Sequence, residues 1–526
     1  MRRPSIAPSA GMLALLGVLP VVLFLAFFHI ATLAVGNPGW LIRGSDNGEN
    51  ALGLHAYLHD SAAGTSLHTG LLNAPEGVPV LFTDSNPLVG FVARPFAALL
   101  PVDAQFVGPW ILLCLLLSTA FAWLLLRRHA PGQVALWAGV ALLAFPPTLF
   151  NRYIHTNLMA HWTILAALVL FLDVERRDRL RWWLPLITVT ALIHSYLLVM
   201  VGAIWASALL ARFQAGPGRA RTATLAQGAA GLLLVALLAW WLGVGHQQVA
   251  GNYGAFSMPL DALWNPGLQA YSRLLPAYEQ SAGRGFEGFQ YLGAGGLVLL
   301  VAAALAAWLL PPRAEAASVA RRARGLVPAL IVLAVLAIAR LPLSDGMRAA
   351  LDPVRASGRL FWPVGYVLIL MAVLAVYRLP RERAGLMLVG IVAVQVVDLS
   401  GMAAAIRGQN REAARHRLYV RTTDPRWDAL IAGARSVAFM PGDVTRDLDL
   451  FQEVAWRAVS AGRPVTNVYA ARTTAQTDAR LVREQAAFAR GELVPGRLYV
   501  LLPAAPLPPA ATARMLSLDG TVVIRP

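Results

Sequence analysis

The chain has 526 residues, 57% of them hydrophobic and 14% charged, with a formal net charge of +16 and a mean hydropathy of +0.58. Soluble globular chains carry about 25% charged residues, so a water-soluble single domain is excluded. Every basic residue is arginine and these cluster in short loops between apolar runs, which argues for membrane topology rather than nucleic-acid binding. The lone cysteine, Cys114, lies inside an apolar run, so no internal disulfide or cysteine-based metal site is available.

From the N-terminus, Arg2 and Arg3 precede an apolar run over 12–33. It is longer than the apolar core of a secretory signal and no small-residue cleavage site follows, so it reads as an uncleaved first span with its N-terminus inside. Beyond it lies Gly44-Ser45-Asp46-Asn47-Gly48-Glu49-Asn50. A carboxylate pair at the membrane surface, flanked by small residues, can reach a lipid headgroup, either as a general base or as a ligand for a divalent cation (Mg or Mn) on a phosphate. Read blandly, Asp46 is a solvated loop acid. Further on, Phe82-Thr83-Asp84-Ser85-Asn86-Pro87 starts an apolar stretch, where Asp84 is expected to cap a helix. Arg94 and two prolines make 87–101 an interfacial or re-entrant helix rather than a crossing.

Apolar runs long enough for ~30 Å of hydrocarbon then follow at roughly 104–127, 131–149, 157–174, 182–194, 196–212, 222–244, 289–310, 325–341, 359–377 and 384–405, about eleven spans with the first (11–35). They are continuous rather than alternating, hence helices. The runs 182–194 and 196–212 are short. Arginine-rich loops at 127–128, 176–181, 212–221, 313–324 and 378–383 all fall on one side, which the positive-inside rule makes cytoplasmic. The opposite side receives 36–103, 245–288, 342–358 and the C-terminus.

Polar residues at membrane depth are functional candidates by default. His155 and His161 straddle the start of one span, near Arg152 and Asn157. His194 sits with Ser195 and Tyr196 between two spans, and His29 near the outer end of the first. All four histidines fall in the outer half or at its boundary, on the side of Asp46, and any one taken singly is more often an interfacial hydrogen-bonding group than a catalyst. Asp398 reads as a helix-packing partner. The segment Arg355-Ala356-Ser357-Gly358-Arg359-Leu360-Phe361-Trp362-Pro363 opens a span with two guanidiniums at a helix N-terminus, which suits a phosphate. It also suits an aromatic belt with snorkelling arginines. Aromatic and amide groups crowd the outer loop 245–288, as in sugar binding and as at membrane interfaces.

Residues 407–526 differ in kind. Strands at 436–440, 464–469, 498–502 and 521–524 alternate with helices at 447–461, 477–490 and 509–516, the first two closed by Gly462 and Gly491. That order predicts a small extracytoplasmic α/β domain with a mostly parallel sheet, after a membrane domain over 1–406. No glycine-rich phosphate loop follows its first strand, so no nucleotide is assigned.

These segments together resemble a bacterial family of multi-spanning membrane proteins of unassigned function, grouped with the C-type glycosyltransferase (GT-C) superfamily. The matching pieces are Gly44 to Asp46, Phe82 to Leu88, His155 to Trp162, Ile193-His194-Ser195-Tyr196-Leu197, Phe256-Ser257-Met258 with Asn265-Pro266, Tyr291-Leu292-Gly293 and, most specific, Arg355 to Pro363. The resemblance implies a GT-C-like helical membrane fold. It also implies transfer of a sugar from a polyprenyl-phosphate carrier to a lipid, glycan or protein acceptor, at the outer face of a bacterial cytoplasmic membrane. Asp46 stands where the superfamily's catalytic carboxylate lies and would deprotonate the acceptor hydroxyl; Arg355 or Arg359 would hold the departing phosphate. Asp84, His155, His161, His194 and Tyr196 are expected to line the substrate site. The superfamily's usual acidic doublet is absent, since Asn47 follows Asp46, and metal dependence stays open. The rival readings are a transporter or flippase for lipid-linked glycans, and a non-catalytic envelope assembly protein.

Overall fold

Each apolar run expected to cross the membrane is helical in the computed structural model, which describes residues 10–64, 66–245, 247–248, 252–311, 313–339, 343–508 and 513–525. The helices differ in length. Five, among the described residues, are long and apolar enough to cross a bilayer: Val107–Leu126, Ser195–Ala215, Gly218–Trp241, Ser357–Val376 and Arg381–Arg415. The remaining runs hold shorter helices, Ala14–Phe27, Gln133–Ala144, Thr156–Leu172, Leu180–Ile193, Gly293–Leu309 and Val327–Ile338. Of the about eleven expected spans, five are thus helices of membrane length and the others are shorter apolar helices. Of the two runs expected to be short, the second reaches 21 residues.

The shortening has local causes. Gln133–Ala144 stops before Phe145-Pro146-Pro147, because proline has no N–H to give and disfavours helix in the residue before it. Leu180–Ile193 stops because His194 is extended (φ −165°, ψ 136°) and turns its Nδ1 to accept the N–H of Tyr196, capping the next helix. Gly293–Leu309 begins at a glycine with φ +80°, where a Cβ would lie 2.3 Å from the Gln395 amide. Irregular backbone between the helices is met by side chains. Gln290 Nε2 donates to Gly358 O at 2.7 Å, and Asn151 Nδ2 to Phe286 O at 3.1 Å.

The two ends of the bundle are chemically distinct. At one end the arginine-rich loops interlock: Arg212 donates to Asp178 O, Arg322 to Leu172 O, and Arg378 to Ala307 O and Leu310 O. Cations at carbonyl-bearing helix ends are electrostatically favoured. At the other end the long segments around 36–103 and 252–288 fold over the helices. Residues 87–101 form two short pieces, Pro87–Ala93 and Arg94–Leu99, together about 22 Å and less than the hydrocarbon thickness. Arg94 donates to Tyr57 O at 2.6 Å and Leu58 O at 3.0 Å, while Phe91, Val92, Phe96 and Leu99 stay exposed.

The C-terminal sheet is mixed rather than mostly parallel. Ser436–Met440 pairs parallel with Arg497–Leu501, but Thr521–Ile524 pairs antiparallel with Arg497–Leu501 and with Met515–Leu518. Two expected elements differ. Residues 515–518 are a strand, not helix, because Asp519 and Gly520 (φ +47° and +78°) turn a hairpin there; residues 509–512 lie outside the described residues. The segment 464–469 contributes only a bridge between Val465 and Val437, since its backbone pairs instead with the outer segment: Val465 N–H to Leu71 O, Ala74 N–H to Val465 O, and Asn73 N–H to Asn467 O. Helices Leu448–Ser460 and Ala475–Ala489 end near Gly462 and Gly491, both at positive φ as expected.

This small domain is seated on the helix Asp46–His59. Gln452, fully buried, accepts Gly44 N–H at 2.9 Å and donates to Ser45 O at 2.8 Å. A Cβ on Gly48 would meet its amide at 2.2 Å. Trp456 stacks on His55 with ring centroids 3.8 Å apart, and Arg480 pairs with Glu76 at 2.6 Å.

Candidate active site

Asp46 opens the helix Asp46–His59, where a carboxylate is favoured by the helix dipole. The same helix buries Asn47, Glu49 and Asn50. Asn50 Nδ2 and Asn157 Nδ2 each donate to Asp84 O at 2.6 Å. Those two amides hold Asp84 in a left-handed turn (φ +49°) that aims its carboxylate away from the following helix. Asn86, not Asp84, caps that helix, its side chain accepting the N–H groups of Leu88 and Val89. The expected capping role of Asp84 therefore moves two residues on, and Asp84 joins the site.

His155 is the centre of the cluster. Its Nδ1 faces Asp84 Oδ2 at 3.5 Å, and its Nε2 faces both Asp46 Oδ2 and Glu287 Oε1 at 3.6 Å. On the far side of Asp84, His194 Nε2 lies 3.6 Å from Oδ1. Because His194 Nδ1 accepts a backbone N–H, its Nε2 carries the proton and points it at Asp84. Burial works against the charged form of His155, but Asp84 and Glu287 outweigh it and raise the imidazole above its ordinary value. Burial likewise works against the Asp84 carboxylate, yet the imidazoles of His155 and His194 hold it well below the usual range. Glu49 has no such partner: burial, with the charges of Asp84 and Asp46 added, pushes it far above the carboxylate range. Glu49 accepts one hydrogen bond, from Ala471 N–H at 2.9 Å.

Glu287 ties the cluster to the arginines. Both its oxygens receive Arg359, from Nε and Nη2 at 2.6 Å each, and Arg152 Nη1 donates to Oε2 at 2.6 Å. Burial raises Glu287, but Arg359 and Arg152 outweigh it and hold the carboxyl well below its ordinary value. Arg359 also lies over the Tyr196 ring at 4.8 Å, and Tyr196 Oη accepts Ala356 N–H at 2.7 Å. Arg355 and Arg472 differ. Neither has a carboxylate at ion-pair distance among the described residues, and the like charge of Arg355, added to burial, lowers the Arg472 guanidinium.

Arg472 comes from the C-terminal domain, on a strap over residues 469–473. Tyr469 Oη donates to Asp46 Oδ1 at 2.9 Å. Ala471 N–H is shared between Glu49 Oε1 and Phe82 O, each at 2.9 Å, and Thr473 O accepts Gln248 N–H at 2.9 Å. The strap therefore bridges both sides of the cluster.

Of the sequence candidates, Asp46, Asp84, His155 and His194 are brought together, and Arg359 and Tyr196 join them through Glu287. Arg355 borders the group. His161 does not belong to it: the ring is fully buried, with Nδ1 2.9 Å from Tyr366 Oη and its face 4.3 Å from Trp362. No carboxylate lies at ion-pair distance from it among the described residues. Glu287, Tyr469 and Arg472 were not identified from the sequence. Glu287 carried one signal, a lone acid beside aromatic residues at the mouth of a span; the two strap residues carried none. His29 caps a short turn through Ala31 N–H, and Asp398 accepts Tyr291 Oη–H at 2.7 Å and Ala294 N–H at 2.9 Å, joining helices. The His155 imidazole fills the space between the carboxylates, and among the described residues no three His, Cys, Asp or Glu side chains are grouped to hold a metal.

Fold and site define a mostly helical protein with membrane-length spans, carrying at one end a cluster of acids, imidazoles and guanidiniums closed by a small C-terminal sheet domain. The chain belongs to the family described as a domain of unknown function, DUF6311, which matches residues 17–400; the DUF6311 C-terminal domain matches residues 426–526. No curated protein matches it. Among solved structures it is similar to the oligosaccharyltransferase AglB of Archaeoglobus fulgidus in complex with an inhibitory peptide and a dolichol-phosphate, at 11% identity and TM-score 0.35, covering 93% of this chain and 69% of that one. A crystal structure of the Archaeoglobus fulgidus oligosaccharyltransferase in complex with Zn and sulfate is similar at 11% identity and TM-score 0.31, covering 92% and 67%.

Proposed function

We propose that this chain is a membrane glycosyltransferase, moving a sugar from a polyprenyl-phosphate donor to a lipid, glycan or protein hydroxyl at the outer face of a bacterial cytoplasmic membrane. One observation carries the reading. Asp46 and Arg359, more than three hundred positions apart, meet through two intervening side chains, His155 and Glu287. That chain of contacts ties the acid to the arginine-bearing segment 355–359, which supports a base at one side of the site and a phosphate-binding face at the other. The acceptor oxygen attacks the anomeric carbon, its proton passes to Asp46 Oδ2, and the carbon–oxygen bond to phosphate breaks with its electron pair leaving on the phosphate. Arg355 and Arg472, which have no carboxylate at ion-pair distance among the described residues, stabilise that growing charge. Arg359 is already held by Glu287, so it positions rather than clamps. Tyr469, bonded to Asp46, orients the base. No step is routed through a metal.

The test compares Asp46→Asn with wild type in the native host, following glycan and glycolipid products at matched protein level. Loss of one product class, with its lipid-linked precursor accumulating, is expected. An unchanged product profile would remove Asp46 as the base and with it this reading.

A further inference from the structure

At the end of the bundle opposite the acid cluster lies a cavity of about 530 Å³, lined by Phe171, Val174, Arg177, Ala211, Ser318, Arg321, Arg322 and Gly325. It is built where two of the arginine-rich loops meet the end of the helix Ser195–Ala215. The helix Ser195–Ala215 starts beside His194 at the acid cluster and reaches the cavity at Ala211, about 24 Å along its axis. The two sites are thus separated by most of a bilayer.

Three guanidiniums line this space and, among the described residues, no carboxylate does. Their local ties differ. Arg177 leans on Asp178 at 2.9 Å, and Arg322 is held by Ser318 Oγ and the Leu172 carbonyl. Arg321, exposed, makes no hydrogen bond or ion pair among the described residues. Arg321 and Arg322 have no carboxylate at ion-pair distance among the described residues, so their like charges repel, and an anion relieves that repulsion. The remaining lining is apolar: Phe171 is fully buried as a floor, and Val174 stands 56% exposed at the rim. Charge above an apolar wall, at the end of membrane-length helices, matches a headgroup joined to acyl chains better than a free ion.

We propose that this cavity binds the phosphodiester headgroup of an anionic membrane lipid, with the acyl chains leaving along Val174. Basic pockets between transmembrane helices on the cytoplasmic side favour such headgroups. The volume suits one headgroup, within the ordinary range of small-molecule sites. A zwitterionic lipid is disfavoured, because its ammonium would be brought against the same arginines.

Native mass spectrometry of the purified full-length protein tests this, with phosphatidylglycerol, phosphatidylethanolamine of identical chains, and inorganic phosphate added separately. Wild type is expected to retain one phosphatidylglycerol per chain in preference to phosphatidylethanolamine. Arg177→Ala with Arg321→Ala is expected to weaken that binding by about thirtyfold, while Arg177→Lys with Arg321→Lys keeps it within a few-fold. Equal retention of the two lipids by wild type overturns the proposal without any variant. So does an alanine pair that binds phosphatidylglycerol normally, or inorganic phosphate that occupies the site as well as the lipid does.

Discussion

Glu287 is the most heavily used carboxylate at the site, and replacing it with glutamine isolates one physical claim. Three donors converge on it at 2.6 Å, two from Arg359 and one from Arg152. The side chains are nearly sealed from water, at 13% for Glu287, 8% for Arg359 and 1% for Arg152. Glu287→Gln keeps the volume and one acceptor but leaves two buried guanidiniums uncompensated. Removing one partner of such a buried pair costs about 3–5 kcal/mol. For a chain of this length melting as one unit, that lowers Tm by roughly 3–5 °C. The pH dependence sharpens the test. A carboxyl held below its unfolded value adds stability that is fully present above that value, near 4.5, and lost as pH falls through the folded one. The gap between wild type and variant, followed by tryptophan fluorescence in detergent, should stay constant from pH 8 to about 5 and close only in acid. Adding Arg359→Met should recover part of the loss, a coupling of about 1–3 kcal/mol. A gap below about 0.5 kcal/mol, or one that closes between pH 7 and 5, would show that Glu287 does not carry these charges.

Tyr469→Phe removes only the hydroxyl on Asp46; kcat should fall by about tenfold or more with KM little changed, and equal activity would make the strap a mere cover. His155, raised by its carboxylates, contributes stability fully present below its unfolded value near 6.5 and lost as pH rises through the folded one. Wild-type Tm should therefore decline on the alkaline side, a decline that His155→Gln abolishes. Glu49, raised by burial, is mimicked by glutamine, so Glu49→Gln should be at least as stable as wild type at pH 8; a large loss would mean the group is ionised. Gly48→Ala drives a methyl into the Gln452 amide, and limited proteolysis should then release the C-terminal domain faster than in wild type.

Hydropathy and arginine placement made the helices and their two chemical ends legible, because both signals are local. Helix termini were not legible. His194 ends one helix by capping the next, and Gly293 starts another only because Gln395 packs against it. In the C-terminal domain, Asp519-Gly520 between apolar residues is a hairpin signal that the expected helix over 509–516 overrode. The segment 464–469 failed as a full strand because Leu71 and Asn73, far off in sequence, took its hydrogen bonds. Asp46, Asp84, His155 and His194 could be assigned to one side from topology alone. That His161 turns inward, only six positions after His155, depends on Tyr366. The Tyr469 contact depends on domain docking, which no spacing encodes.

The most direct measurement is single-turnover release of polyprenyl phosphate from a labelled lipid-linked sugar by the purified full chain in liposomes, with an acceptor extract from the native host. Wild type should release the carrier phosphate and label the acceptor in equal amounts, while Asp46→Asn and the Arg355→Ala/Arg472→Ala pair, folded and monodisperse, do neither. Carrier release undiminished in both variants, or sugar crossing the bilayer with its phosphate bond intact, would contradict glycosyl transfer at this cluster.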